Sequence, residues 1–172
     1  MITNAYLQSM ARYNRWQNQN LFCAAKGLSE EERQQDRGAF FGSIHGTLSH
    51  IYWADRIWLS RFDLCEPPGV PSAQSSQFVE DFEELTVERA KLDETLIEFC
   101  DAYGKGPVTG SLEWYSGAIG AEAKAPLSII FAHFFNHQTH HRGQVHAMLT
   151  AAGAKPQDTD LFLMPPELWP DS

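Results

Sequence analysis

Apolar side chains return at alternating steps of three and four residues along four separate stretches of this chain, the period of an amphipathic helix. The first runs from about Thr3 to Gly27, with Tyr6, Met10, Tyr13, Leu21 and Phe22 as its stripe and Gly27 as its stop. The second covers about Phe41 to Phe62, where Ile44, Leu48, Ile51, Tyr52, Trp58, Leu59 and Phe62 keep the period. Phe82, Leu85, Leu92, Leu96 and Phe99 define a third from Phe78 to Tyr103. The fourth is opened by Pro126, as a proline in a first helical turn should be, and closed by Gly153.

Between these stretches the composition changes. Ser29 is a candidate cap for a short turn carrying Glu30, Glu31 and Glu32. Asp63 to Gln77 is rich in proline and small polar residues and predicts a long loop. The glycine-rich segment before Pro126 has a strand-like patch at Leu112 to Tyr115, which predicts a small hairpin or an irregular crossover. The tail predicts one short helical turn around Asp160 to Met164 before its prolines intervene. Four helices of roughly twenty-five residues joined by two long connections predict an all-α chain, a four-helix bundle that is not simply up-down-up-down. At 172 residues it is long enough to bury a core without staples and reads as one domain over 1–172.

Charge narrows the partners. With 13 Lys and Arg against 22 Asp and Glu, the net charge is −9, and the basic residues are scattered, which disfavours a phosphate backbone as ligand. No run of ~18 apolar residues suggests a membrane span, and no basic start followed by an apolar run suggests a leader. Cys23, Cys65 and Cys100 are widely spaced and form no CxxC unit. They read as free thiols in a reducing, cytoplasmic setting and carry no catalytic role.

Five of the seven histidines fall between His133 and His146, in the fourth helical stretch. Residues at i and i+4 on a helix lie about 40° apart, so one metal ion can bridge two such imidazoles. His133/His137 and His137/His141 both have that spacing. The core face, located from Leu127, Phe131, Phe134, Val145, Leu149 and Ala152, lies about 40° from His141 and about 80° from His137. His133, His140 and His146 lie roughly 100° to 140° away, toward solvent. Gln138 stands where the HExxH proteases have glutamate, which argues against a zincin.

A third ligand has to come from another helix, and the second offers His45 and His50, about 90° and about 130° from its apolar face. Periodicity leaves both open. Asp55 falls inside the apolar stripe and requires a partner, as a helix-packing anchor or as support for a site. Arg142 is read as a structural ion-pair partner ahead of a substrate-carboxylate ligand. Tyr52, Trp53 and Trp114 are read as core ahead of pocket.

"TLSHIYWADRIWLSR" (Thr47 to Arg61), "NHQTHHRGQVHAML" (Asn136 to Leu149), "YNRWQNQNLF" (Tyr13 to Phe22) and the tail "DTDLFLMP" together resemble the DinB family of DinB/YfiT-like metalloenzymes. The resemblance covers nearly the whole chain. It implies a four-helix bundle of up-down-down-up connectivity, a homodimer, and a divalent metal, zinc (Zn2+) or nickel (Ni2+). The ligands it implies are His50, in the "TLxH" position, and His137 and His141, in the "NHxxxH" positions. Three neutral imidazoles leave a divalent ion its full charge and an open position, where a water or thiol loses its proton near neutral pH. By resemblance, the expected activity is a metal-dependent thiol transferase that joins a low-molecular-weight thiol, such as bacillithiol, mycothiol or glutathione, to an electrophilic small molecule. A hydrolase using metal-bound water, and a non-enzymatic metal- or small-ligand-binding stress-response protein, are the alternatives.

Overall fold

The computed structural model describes residues 2–170. Helix α1 spans Asn4–Lys26 and starts where the Thr3 hydroxyl accepts the Tyr6 N–H. The short α2, Glu30–Gln34, opens on a capping box in which Ser29 and Glu32 satisfy each other's backbone N–H. Helix α3 runs Ile44–Ser60, α4 Phe82–Ala102 and α5 Leu127–Ala151. Strands β1, Ser111–Ser116, and β2, Ala121–Pro126, form an antiparallel hairpin in which Trp114 faces Ala123. The chain is therefore predominantly helical, with a two-stranded sheet that qualifies the all-α expectation.

Several boundaries differ from the sequence reading, each for a local reason. α3 begins at Ile44 because Gly42, at φ 72°, turns the chain and Ser43 caps the helix through the Gly46 N–H, which leaves Phe41 outside it. α4 begins at Phe82 because Asp81 accepts the Glu84 N–H. Pro126 ends β2 and holds the N-cap of α5, one position before the first turn. Part of the expected long loop, Ser72–Gln77, forms a 3-10 turn that packs on α3. The tail forms two such turns, Leu161–Leu163 and Pro166–Leu168.

α1 packs against α4 and α5, and α3 packs against the same two helices. Their shared core includes Leu7, Leu21, Leu48, Leu85, Leu96, Phe135, Val145 and Leu149. A polar layer crosses it. Arg89 of α4 lies 2.6 Å from Asp55 of α3 and 2.9 Å from Asp93. Asn18 of α1 donates to Asp93 at 2.9 Å, and Arg142 of α5 donates to Asn14 of α1. Asp55 is thus a helix-packing anchor. Arg142, read as an ion-pair partner, instead finds an amide oxygen, because α1 places Asn14 against it. Burial pushes both carboxyls up and Arg89 opposes the shift, while burial lowers Arg142 to about 10. No helix among the described residues is long and apolar enough to cross a membrane.

Candidate metal centre

α3 and α5 face one another, and their facing sides bring His50, His137 and His141 together. One nitrogen from each ring lies within 4.8 Å of the other two. This is the single group of three or more possible ligand residues that meets that test among the described residues. His50 Nε2 and His137 Nε2 are 3.3 Å apart. With zinc-to-imidazole bonds of about 2.0–2.1 Å, a tetrahedral edge between two ligand nitrogens is about 3.3–3.4 Å. The pair therefore already stands at the separation a tetrahedral cation requires.

The outer faces of the rings are held. His50 Nδ1 meets the Ser75 hydroxyl at 2.9 Å, and Ser75 is fully buried in the 3-10 turn. The Ser49 hydroxyl donates to the Ser75 carbonyl at 3.0 Å, tying that turn to α3. His141 Nδ1 donates to the Gln144 side-chain oxygen at 2.8 Å, one helical turn further along. At His141 the amide oxygen can only accept, so Nδ1 carries the proton and Nε2 keeps its lone pair directed inward; at His50 the Ser75 hydroxyl holds the ring's direction. Phe41, from the turn before α3, stacks on His50 with centroids 3.6 Å apart and meets the edge of His141.

All three imidazoles are poised neutral. Burial, followed by repulsion from the other two rings, lowers His50 to about 3. Burial and the neighbouring histidines bring His137 to about 4, and burial also lowers His141. A neutral imidazole is the form that ligates a cation. The donor set contains no carboxylate or thiolate, so a divalent ion would keep its full charge.

His45, left open beside His50 by periodicity, turns the other way: its Nε2–H donates to the Val79 carbonyl at 2.8 Å inside the protein. His133 and His140 are exposed and His146 is half-buried, close to the wheel's expectation for all three. His133 has a further place, against Trp58 and His137 with centroid separations of 5.3 and 5.6 Å. Beside the cluster lies a cavity of about 440 Å³, lined by His50, His137, His133, Trp53, Trp58 and Trp114, among others. Trp53 and Trp114, read as core, are pocket walls instead, because the hairpin packs on α5 and turns the inward face of β1 toward α3. Tyr52 is core, stacked on Phe78. Cys23, Cys65 and Cys100 are free thiols outside this site.

Ser75, Gln144 and Phe41 were not singled out from sequence. Gln144 stands three residues after His141, so helical spacing contained the signal. Ser75 lies in a run of small polar residues with nothing to distinguish it.

The model of the DinB family matches residues 1–167. Protein DinB of Bacillus subtilis (strain 168) is 31% identical over 160 residues, covering 88% of this chain and 90% of that protein. No solved structure matches.

Proposed function

The chain belongs to the DinB family, and on that premise we propose that it is a metal-dependent thiol transferase acting on electrophilic small molecules. The observation that carries this reading is the His50, His137 and His141 set, three imidazole donors within 4.8 Å of one another beside a cavity walled by tryptophan. In this reading His50, His137 and His141 hold one zinc or nickel ion. Such an ion supplies a positive charge that lets a thiol lose its proton near neutral pH.

The protein's own groups do the rest. Gln144 fixes the tautomer of His141, and Ser75 holds the direction of His50. Phe41 and Trp53 stack along His50 and keep bulk water from its faces. The cavity holds the electrophile's apolar body against Trp58 and Trp114. The hydrolytic alternative needs a general base beside the metal. Asp55, its one candidate, is engaged with Arg89 in the core.

The same premise supports a single domain with a four-helix bundle in up-down-down-up order, and the packing of α1 and α3 each against α4 and α5 agrees with it. Exposed Leu161, Phe162, Leu163 and Trp169 offer apolar surface for a homodimer, and the free thiols suit a cytoplasmic setting.

The test begins with metal analysis of tag-free protein beside its His50→Ala, His141→Ala and His45→Ala variants. About one metal per chain, lost in the first two variants and kept in the third, is expected. Cobalt substitution should then give a sulfur-to-cobalt charge-transfer band with a physiological thiol. Ester or amide turnover without thiol would favour hydrolysis, and neither band nor turnover would leave a binding protein.

A further inference from the structure

Arg61 follows the last residue of α3, and its guanidinium enters the cavity beside the histidines. Its guanidinium carbon lies 4.2 Å from the centroid of the Trp58 ring and 5.2 Å from that of Trp114. Cation–π contact of this kind holds the group in place while leaving its N–H donors free. No carboxylate lies within ion-pair distance of it among the described residues. Burial lowers its pKa, as expected of a cation that the protein desolvates without a counter-charge.

The cavity as a whole repeats the pattern. In a chain with 22 acidic residues, none of the described residues lining this cavity is acidic. Its other walls are indole, aliphatic and hydroxyl groups, with His50, His133 and His137 at one side. A volume of about 440 Å³ is of the size that takes a small organic molecule. A half-buried cation without an anion inside an apolar, acid-free cavity lacks one complementary group.

We propose that this cavity recognises a small organic anion, an apolar molecule carrying a carboxylate that pairs with Arg61 while its body lies against Trp58 and Trp114. The assignment rests on the reading of this cavity as the substrate side of the histidine site. Arg61 is the positioning residue: it orients the molecule by its far end and leaves the end nearest His137 for the chemistry. The carboxylate belongs either to the thiol or to the electrophile, and both sources use the same contact.

Isothermal titration of the full-length protein with 4-tert-butylbenzoate and with its isosteric primary amide tests this. A charge-assisted contact predicts roughly ten- to hundredfold tighter binding of the carboxylate. In Arg61→Gln the preference should vanish while amide affinity and melting temperature stay as in wild type. Arg61→Met, which keeps an aliphatic stem over Trp58, should behave likewise and guards against a folding defect in the first variant. Equal affinity for the two compounds, no binding of either, or a preference that survives both substitutions overturns the proposal.

A second pair, 4-(mercaptomethyl)benzoate and benzyl mercaptan, locates the source. An Arg61-dependent preference within this pair assigns the carboxylate to the thiol, and one confined to the thiol-free pair assigns it to the electrophile. Metal content and the cobalt band, read on the same samples, keep the two readings separate. Metal and band without carboxylate preference leave the transferase standing and remove the anion. Preference without metal marks an anion-binding pocket in a protein that is no metalloenzyme.

Discussion

His45 and His50 sit five residues apart on one helix, and their neighbours give them different work. His45 is spent on the Val79 carbonyl, whereas His50 has its outer nitrogen on Ser75 and its inner one toward His137. His45→Ala should therefore keep its metal yet lose roughly 1–3 kcal/mol of stability in urea melts, from an orphaned carbonyl and a vacated volume. Ser75→Ala should fold normally and bind zinc at least about tenfold more weakly, read by competition with a chelator, because His50 loses the group that orients it. Unchanged affinity would mean that Ser75 only packs. At this scale the inward shoulder that His137 and His141 share was legible, since both positions follow from one helical wheel. His50 was legible only by resemblance, and Ser75 was not, because its contact joins residues 25 apart in sequence across two elements.

The start of α3 shows how an element shapes the site. Gly46 lies inside the first turn of the helix, where alanine would ordinarily be favoured by about 1 kcal/mol. A Cβ there would stand 2.6 Å from the Phe41 backbone carbonyl, closer than real structures allow. The missing side chain is what lets the preceding turn fold back far enough to lay Phe41 on His50. Gly46→Ala should reverse the propensity rule, lowering the melting temperature and weakening metal binding together. A stabilised variant with intact metal binding would show that the turn has room to move. The caps at Thr3, Ser29, Ser43 and Asp81 are ordinary sequence signals, and the last two start α3 and α4 later than apolar period alone predicts. The hairpin was legible from its glycines and the Leu112 to Tyr115 patch. Its role as a wall was not, because strand alternation shows that Trp114 faces inward without showing what it meets.

Across the molecule, the layer of Asn14, Asn18, Asp55, Arg89, Asp93 and Arg142 joins all four long helices with two cations and two anions. Removing one charge leaves its partner buried, so Asp55→Ala should cost about 3–5 kcal/mol in chemical denaturation without altering metal stoichiometry. If activity instead fell in a variant that still folds and holds metal, Asp55 would have a catalytic part. The buried histidines weaken the metal-free protein toward acid. Their folded-state values, about 3 for His50 and about 4 for His137, lie below the ordinary 6.5. The unfolded chain therefore takes up protons first as pH falls. This contribution to stability is intact above about pH 6.5 and declines as pH drops toward 4 and 3, and His50→Gln should flatten that slope. The sequence by itself determined the number of long helices, the acidic surface and the inward shoulder of α5, because these depend on local period and on composition. Only the tertiary structure brought His50 rather than His45 beside His137 and His141, made a helix anchor of Asp55 and laid Arg61 against two tryptophans. Those outcomes depend on what lies across the gap between elements, and no period within one helix records what its neighbour presents.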